Sequence, residues 1–332
     1  MLRGLFFTLL CTGFSLSGKT QEKRYSFTES KMGSPFTIIM YAEDSMQATE
    51  LARQSFSLVD SFNNIFSDYL RDSELMLLNN AAGSATHKLS PALMEILVLS
   101  KNGFDKSSGA FDITIGPLVK LWRKARKENR FPDKGKIDSV KKITGFNKLH
   151  IDTVNKTATL SSPGMSIDLG GIAKGWIAQK IIDFLSSRKI TSALADAGGD
   201  IVMSAAAPGT NGWSIGINVP ENKEEILQKQ LLLQNKSVAT SGDVYQFMEK
   251  DGKKYSHITD PRTGYGVSYQ RNVTVIANDG ATADWLATAC SILPLKKAKK
   301  LARKMSAELL IANIKKGKII FYATKGFADH WK

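Results

Sequence analysis

Val273-Thr-Val-Ile-Ala277-Asn-Asp-Gly280-Ala-Thr-Ala-Asp284-Trp-Leu-Ala-Thr288-Ala-Cys290-Ser-Ile-Leu293 is the run on which the fold turns. Residues 273–277 are β-branched or small and read as a strand. Asn278-Asp279-Gly280 is a turn, and 281–293 has helical spacing. Leu286, Ala289 and Leu293 form the apolar stripe that would bury this helix. Asp284 and Thr288 lie four residues apart, so they stand side by side on one face. A carboxylate and a hydroxyl presented together suit a hard cation such as Mg²⁺, which prefers oxygen ligands. Plainer roles compete: Asp284 complementing the helix N-terminus, and Thr288 bonding back to a carbonyl. Cys290, inside the same helix, reads as a small buried hydrophobe rather than a nucleophile.

Working outward, residues 36–41 read as a strand. Residues 45–66 read as a helix with Leu51, Phe56, Val59, Phe62 and Phe66 on one side. Ser90-Pro91 opens another helix, with proline at its favoured first position. The Gly-rich stretch 168–175 leads into a helix over 176–188. Strand-like runs follow at 193–196, 213–219 and 231–234. A closing pair, 309–314 and 318–322, flanks Lys316-Gly317. Helices and strands mix without strict βαβ alternation, so the fold class expected is α+β, a single mixed α/β domain over residues 25–332.

The N-terminus stands apart from that domain. Arg3 precedes a short apolar run from Leu5 to Leu16, and Ser15-Leu16-Ser17 supplies small residues where a signal peptidase reads. Residues 1–17 are expected to be a secretory signal cleaved after Ser17. The run is too short to span a bilayer. A retained segment would instead tether the protein to the outer face of the inner membrane. Loss of Cys11 with the signal leaves Cys290 alone, so no internal disulfide is expected.

The net charge of the 332-residue chain is +14. Its lysines cluster in 120–142, 250–254 and 296–304. Such a surface suits an anionic cofactor or membrane surface, and most of these lysines read as solvated. No helix-turn-helix, finger or RNA-binding signature accompanies them, so no nucleic-acid partner is expected.

Four further polar blocks carry possible chemistry. Residues 254–264 place His257, Asp260 and Arg262 in a turn-rich stretch closed by Pro261 and Gly264, in a chain with only four histidines. Histidine takes a proton near neutral pH. A hairpin turn with a surface histidine is the simpler alternative. Asp168-Leu-Gly170-Gly171-Ile-Ala-Lys174-Gly175 offers close backbone approach, helix N–H groups for an anion, and a point charge at Lys174. A tight strand-to-helix connection explains it equally well. Ser108-Gly109-Ala110-Phe111-Asp112 could admit a flat ring, or Asp112 could cap the next element. Tyr69 could stack on a ring or lie in the core. Zinc, nucleophile-elbow and Rossmann signatures are absent.

In this order the blocks resemble the ApbE family of flavin transferases. The likeness runs from Phe27 to Trp331 and includes Met32-Gly33-Ser34, Ser67-x-Tyr69, and 109–118. It continues through 168–175, Gly198-Gly199-Asp200, 239–242, the His257 block, and Ala283-Asp284-x-x-Ala287-Thr288. The resemblance implies a single domain that binds FAD and Mg²⁺ and is exported to the periplasm. FMN would move from FAD to a threonine or serine hydroxyl of a partner, and AMP would leave. The partners implied are flavin-acceptor subunits of sodium-pumping or related membrane redox complexes. Asp284, Thr288 and the carbonyl near Gly171 match metal ligands, and His257 matches the base. Met32, Tyr69, Ala110, Phe111, Asp112, Lys174 and Ile258 match positions that hold FAD. Asp260 and Arg262 are expected to brace the His257 loop. Thr259 departs from the pattern, standing where an apolar residue is common. Two other readings fit the same residues: an Mg²⁺-dependent FAD pyrophosphatase, and a non-enzymatic flavin-binding protein.

Overall fold

The computed structural model describes residues 21–217, 229–242, 247–268, 270–315 and 318–332. The opening run folds as expected, into the strand Arg271–Ala277 and the helix Gly280–Ile292. That strand lies within an eight-stranded sheet. In spatial order the strands are Lys23–Lys31, Ser34–Ala42, Ala193–Asp196, Ile201–Met203, Lys236–Gly242, Arg271–Ala277, Glu308–Lys315 and Lys318–Ala323. Every neighbouring pair is antiparallel. The architecture is α+β.

Both faces of the sheet are covered, and the two-residue period of a strand assigns each side chain to one cover. Val273, Val275 and Ala277 join the main core under the helices. Ile276 joins a cluster on the other face with Trp213, Leu231 and Phe327. All seven residues of this strand are therefore buried. Arg271 is among them, and its guanidinium donates to the carbonyls of Ser291 (3.1 Å) and Leu293 (3.0 Å). A cation there complements the helix C-terminus.

Three helices cover the main face: Ser45–Phe66, Ala173–Ser187 and Gly280–Ile292. Asp44 caps the first by accepting from the Gln47 N–H, and Asp279 caps the third by accepting from the Thr282 N–H, both at 2.8 Å. The rings of Phe62 and Phe66 meet Trp176 edge-on at 4.9 and 5.2 Å. The second and third helices touch backbone to backbone at Gly175 and Gly280. A Cβ on Gly175 would lie 2.1 Å from the Gly280 carbonyl oxygen and 2.9 Å from Asp284 Cβ.

A separate apolar cluster joins the helices Gly116–Lys127 and Lys134–Lys142 to the hairpin Phe247–Lys250 and Lys253–Ser256. Trp122 sits at its centre and donates from Nε1 to the Gly264 carbonyl at 2.8 Å.

Some boundaries differ from the sequence reading. The helix expected from 176 starts at Ala173, so Lys174 and Gly175 lie in its first turn. The run 213–219 is a strand only at Trp213–Ile215, paired with Leu231–Leu233 in a two-stranded sheet of its own. Residues 218–219, Lys316-Gly317 and the 1–17 signal segment lie outside the described residues. No helix among the described residues is long and apolar enough to cross a membrane.

Candidate active site

A cavity of about 440 Å³ opens among several segments of the chain, four of which carry the candidate chemistry. These four are the start of the helix Ala173–Ser187, one side of the helix Gly280–Ile292, the end of the strand Lys236–Gly242, and the loop after the strand Lys253–Ser256. Tyr69, Ala110, Phe111, Asp112, Gly171, Lys174, His257, Ile258, Asp284 and Thr288 all line it. Met32 is the exception among the expected site residues. It holds the left-handed turn (φ +52°) between the first two strands and packs half-buried against the main core. Its turn still supports the cavity: a Cβ on Gly198, which lines the wall, would lie 2.6 Å from Ser34 Oγ.

The glycine contact places Asp284. Because neither Gly175 nor Gly280 carries a side chain, the two helix starts come close enough for the Gly175 N–H to donate to Asp284 Oδ2 at 3.2 Å. Asp284 thus complements the N-terminus of the neighbouring helix, while Asp279 caps its own. Asp284 is only 6% exposed. Burial pushes its carboxyl well above the usual range, and Asp200 adds to the rise. The Gly175 N–H and Lys174 oppose it. Burial also pushes Asp200 up to about 7, with Lys174 pulling down and Asp196 pushing up. Two carboxyls that resist ionising in one polar wall are what a divalent cation would relieve. The donor set agrees: Thr288 Oγ1 faces Gly171 across the space a Cβ would fill, at 2.9 Å from that position. Among the described residues no three His, Cys, Asp or Glu side chains cluster; the oxygens of Asp284, Thr288 and Gly171 are the donor type that a hard cation takes.

His257 lies half-buried on the cavity wall, not on an open hairpin tip. Its loop is braced at both ends. The Ile258 N–H donates to Ser256 Oγ at 3.0 Å, and the Val267 N–H to the Ile258 carbonyl at 2.9 Å. Asp260 accepts from the Arg262 N–H (2.9 Å), Nε (2.8 Å) and Nη2 (2.8 Å), and its carbonyl accepts from the Gly264 N–H at 2.8 Å. Asp260 and Arg262 therefore hold the turn, as expected. Thr259 is buried and also lines the cavity.

In the third block the capping reading of Asp112 holds. Asp112 caps a short 3-10 turn, accepting from the Thr114 N–H (2.8 Å) and Oγ1 (2.6 Å), and it faces the cavity. Burial pushes its carboxyl up, and the Thr114 bonds pull it back. Tyr69 is 73% exposed, so it is no core tyrosine. The Arg123 guanidinium lies 4.5 Å over its ring and donates to Asp68 at 2.9 Å.

Sequence reasoning missed Arg123 and Arg126, both on the cavity wall. They lie in the basic stretch 120–142, which reads as solvated. One turn of helix places them together on the buried side, and only the helix period beside Trp122 and Ala125 hinted at it.

Residues 32–311 match the ApbE family. A curated FAD:protein FMN transferase of Klebsiella pneumoniae is 32% identical over 78% of this chain and 79% of its own length. Another, of Treponema pallidum, is 31% identical over 91% of this chain and 87% of its own length. The solved flavin transferase ApbE of Vibrio cholerae superposes with a TM-score of 0.82 at 26% identity, covering 93% and 99% of the two chains. The apo flavinyl transferase ApbE of Pseudomonas stutzeri gives 0.84 at 26% identity, covering 93% and 97%. The matched span contains every residue of the cavity wall.

Proposed function

The chain belongs to the ApbE family, and from that premise we propose that it is an FAD:protein FMN transferase using this cavity. The observation that carries the assignment of the site is convergence. A histidine on a braced loop, a buried carboxylate and a hydroxyl on one helix, and a lysine on the adjoining helix face one space. Their sequence separation is large, so no local structural need brings them together.

The reaction joins the FMN phosphorus to the acceptor hydroxyl oxygen and breaks the phosphoanhydride bond to AMP. His257 takes the hydroxyl proton as the oxygen attacks, a contribution typically of ~10²–10⁴-fold. Asp260 and Arg262 hold His257 in place during that transfer. Lys174, at the first turn of its helix, offsets phosphate charge. Tyr69, Ala110, Phe111, Asp112 and Ile258 form the wall that seats the dinucleotide, and Met32, at the turn beside Ser34, is the remaining position assigned to FAD. Asp284, Thr288 and the Gly171 carbonyl would hold Mg²⁺. Bound there, the ion supplies charge neutralisation for the pyrophosphate and the departing AMP.

The acceptor is a flavin-carrying subunit of a sodium-pumping or related membrane redox complex. The protein works outside the cytoplasm after export by its N-terminal segment. The apolar run at 5–16 and the chain's basic surface support that setting.

The test combines the protein, FAD, Mg²⁺ and such an acceptor subunit. The expected result is flavin fluorescence on the denatured acceptor band, with AMP released in equal amount. AMP without a fluorescent band would replace transfer by hydrolysis. FAD bound without AMP release would leave a flavin-binding protein.

A further inference from the structure

Arg123 and Arg126 share one wall of the cavity but differ in charge balance. Arg123 is neutralised within the protein: it donates to Asp68 at 2.9 Å and lies 3.8 Å from Asp168. Arg126 has no carboxylate within ion-pair distance among the described residues. It is half-buried, so water satisfies it only in part. Nothing in the packing requires a guanidinium there, since the apolar seam of the helix Gly116–Lys127 is made by Leu118, Trp122 and Ala125. We propose that Arg126 is a substrate-binding residue whose guanidinium donates to an oxygen of the bound dinucleotide, either a pyrophosphate oxygen or a ring carbonyl.

This assignment rests on the FAD reading of the cavity. The geometry suits it: Arg126 lies one helical turn beyond Arg123, whose face is stacked on the exposed Tyr69 ring. The planar fork of donors can therefore reach a ligand lying along that wall. Burial and the charge of Arg123 both lower the affinity of Arg126 for its proton. A half-buried guanidinium beside a second one is costly to keep charged, and an acceptor oxygen of a ligand would offset that cost.

The experiment titrates FAD, ADP and riboflavin separately into the full chain and its Arg126→Gln and Arg126→Lys variants, without acceptor. A hydrogen bond to a charged group is worth enough to make FAD binding of R126Q about tenfold or more weaker. R126K should retain part of that binding. If the oxygen belongs to the pyrophosphate, ADP weakens with FAD and riboflavin does not. If it belongs to the flavin ring, riboflavin weakens and ADP does not. FAD binding by R126Q within twofold of the parent overturns the proposal. So does equal weakening of all three ligands with a lowered melting temperature, the signature of a merely structural arginine. Because no acceptor is present, this result is independent of whether FMN is transferred.

Discussion

Replacing Gly175 by alanine should damage the site from a position that makes no contact with substrate. The new Cβ would stand 2.1 Å from the Gly280 carbonyl oxygen, where ordinary contact begins at 3.4 Å. The obstacle is backbone on both sides, so no side-chain rotation relieves it. The helices Ala173–Ser187 and Gly280–Ile292 must part by about 1 Å, and overpacking of this kind costs about 1–3 kcal/mol. The same displacement lengthens the bond from the Gly175 N–H to Asp284, now 3.2 Å, and carries Asp284 away from Gly171. A misplacement of about 1 Å costs on the order of 10²-fold in rate. Urea unfolding measures the first effect and AMP release the second. Gly135→Ala is the control. It lies exposed in the helix Lys134–Lys142, where a Cβ would meet only Asp133 Oδ1 at 3.4 Å. That change should stabilise by about 0.5 kcal/mol or leave stability unchanged. Gly175→Ala with stability within about 0.5 kcal/mol of the parent and undiminished turnover would refute the argument that this contact sets the site.

Three further outcomes are expected. His257→Ala should keep FAD affinity and lose transfer by roughly 10²–10⁴-fold, read by equilibrium titration beside acceptor fluorescence; full transfer would remove its role as base. Asp200→Asn should flatten the pH dependence of stability in chelator-treated protein. The Asp200 carboxyl rises from 3.8 to about 7 on folding, so the folded state holds a proton that the unfolded chain releases between those values. Stability therefore falls as pH rises through that window and levels off above it; an unchanged slope between pH 4.5 and 7.5 would contradict this. Trp122→Phe should lose about 1 kcal/mol with the Nε1 bond to Gly264 and loosen the His257 loop. Turnover should fall more than FAD affinity, and equal falls would place Trp122 in the binding wall.

The catalytic-looking half of the site was legible because its residues come in short blocks with local logic. Asp284 and Thr288 share a helix face at four-residue spacing. His257 stands among turn formers that the structure uses as turn formers. Gly175 was visible as one of a cluster of glycines, yet its partner Gly280 lies far away in sequence, so the close helix contact was not. Arg123 and Arg126 were hidden for another reason. A helix as basic as Gly116–Lys127 offers many cations, and only its docking through Trp122 decides which ones face inward. Tyr69 could have been core or ring platform, and its exposure removes the first of these. Met32 matched by pattern but is not among the residues that line the cavity; it packs against the main core. The hairpin Phe247–Lys250 and Lys253–Ser256 carries mostly lysine, tyrosine and glutamate, which left no clear two-residue period to read.

The helix that bears Asp284 and Thr288 is pinned at both ends by groups outside its own hydrogen-bond ladder: the Asp279 side chain at its start and the Arg271 guanidinium at its finish. Both residues precede it in the chain, one in the strand and one in the turn. The strand, turn and helix thus form a clamped bar with the two oxygen-bearing side chains in its middle. A ligand reaching them finds the bar already set and has little chain left to order. Its binding would therefore forfeit little conformational freedom, and the fixed spacing of the oxygens, rather than closure around the guest, would set selectivity.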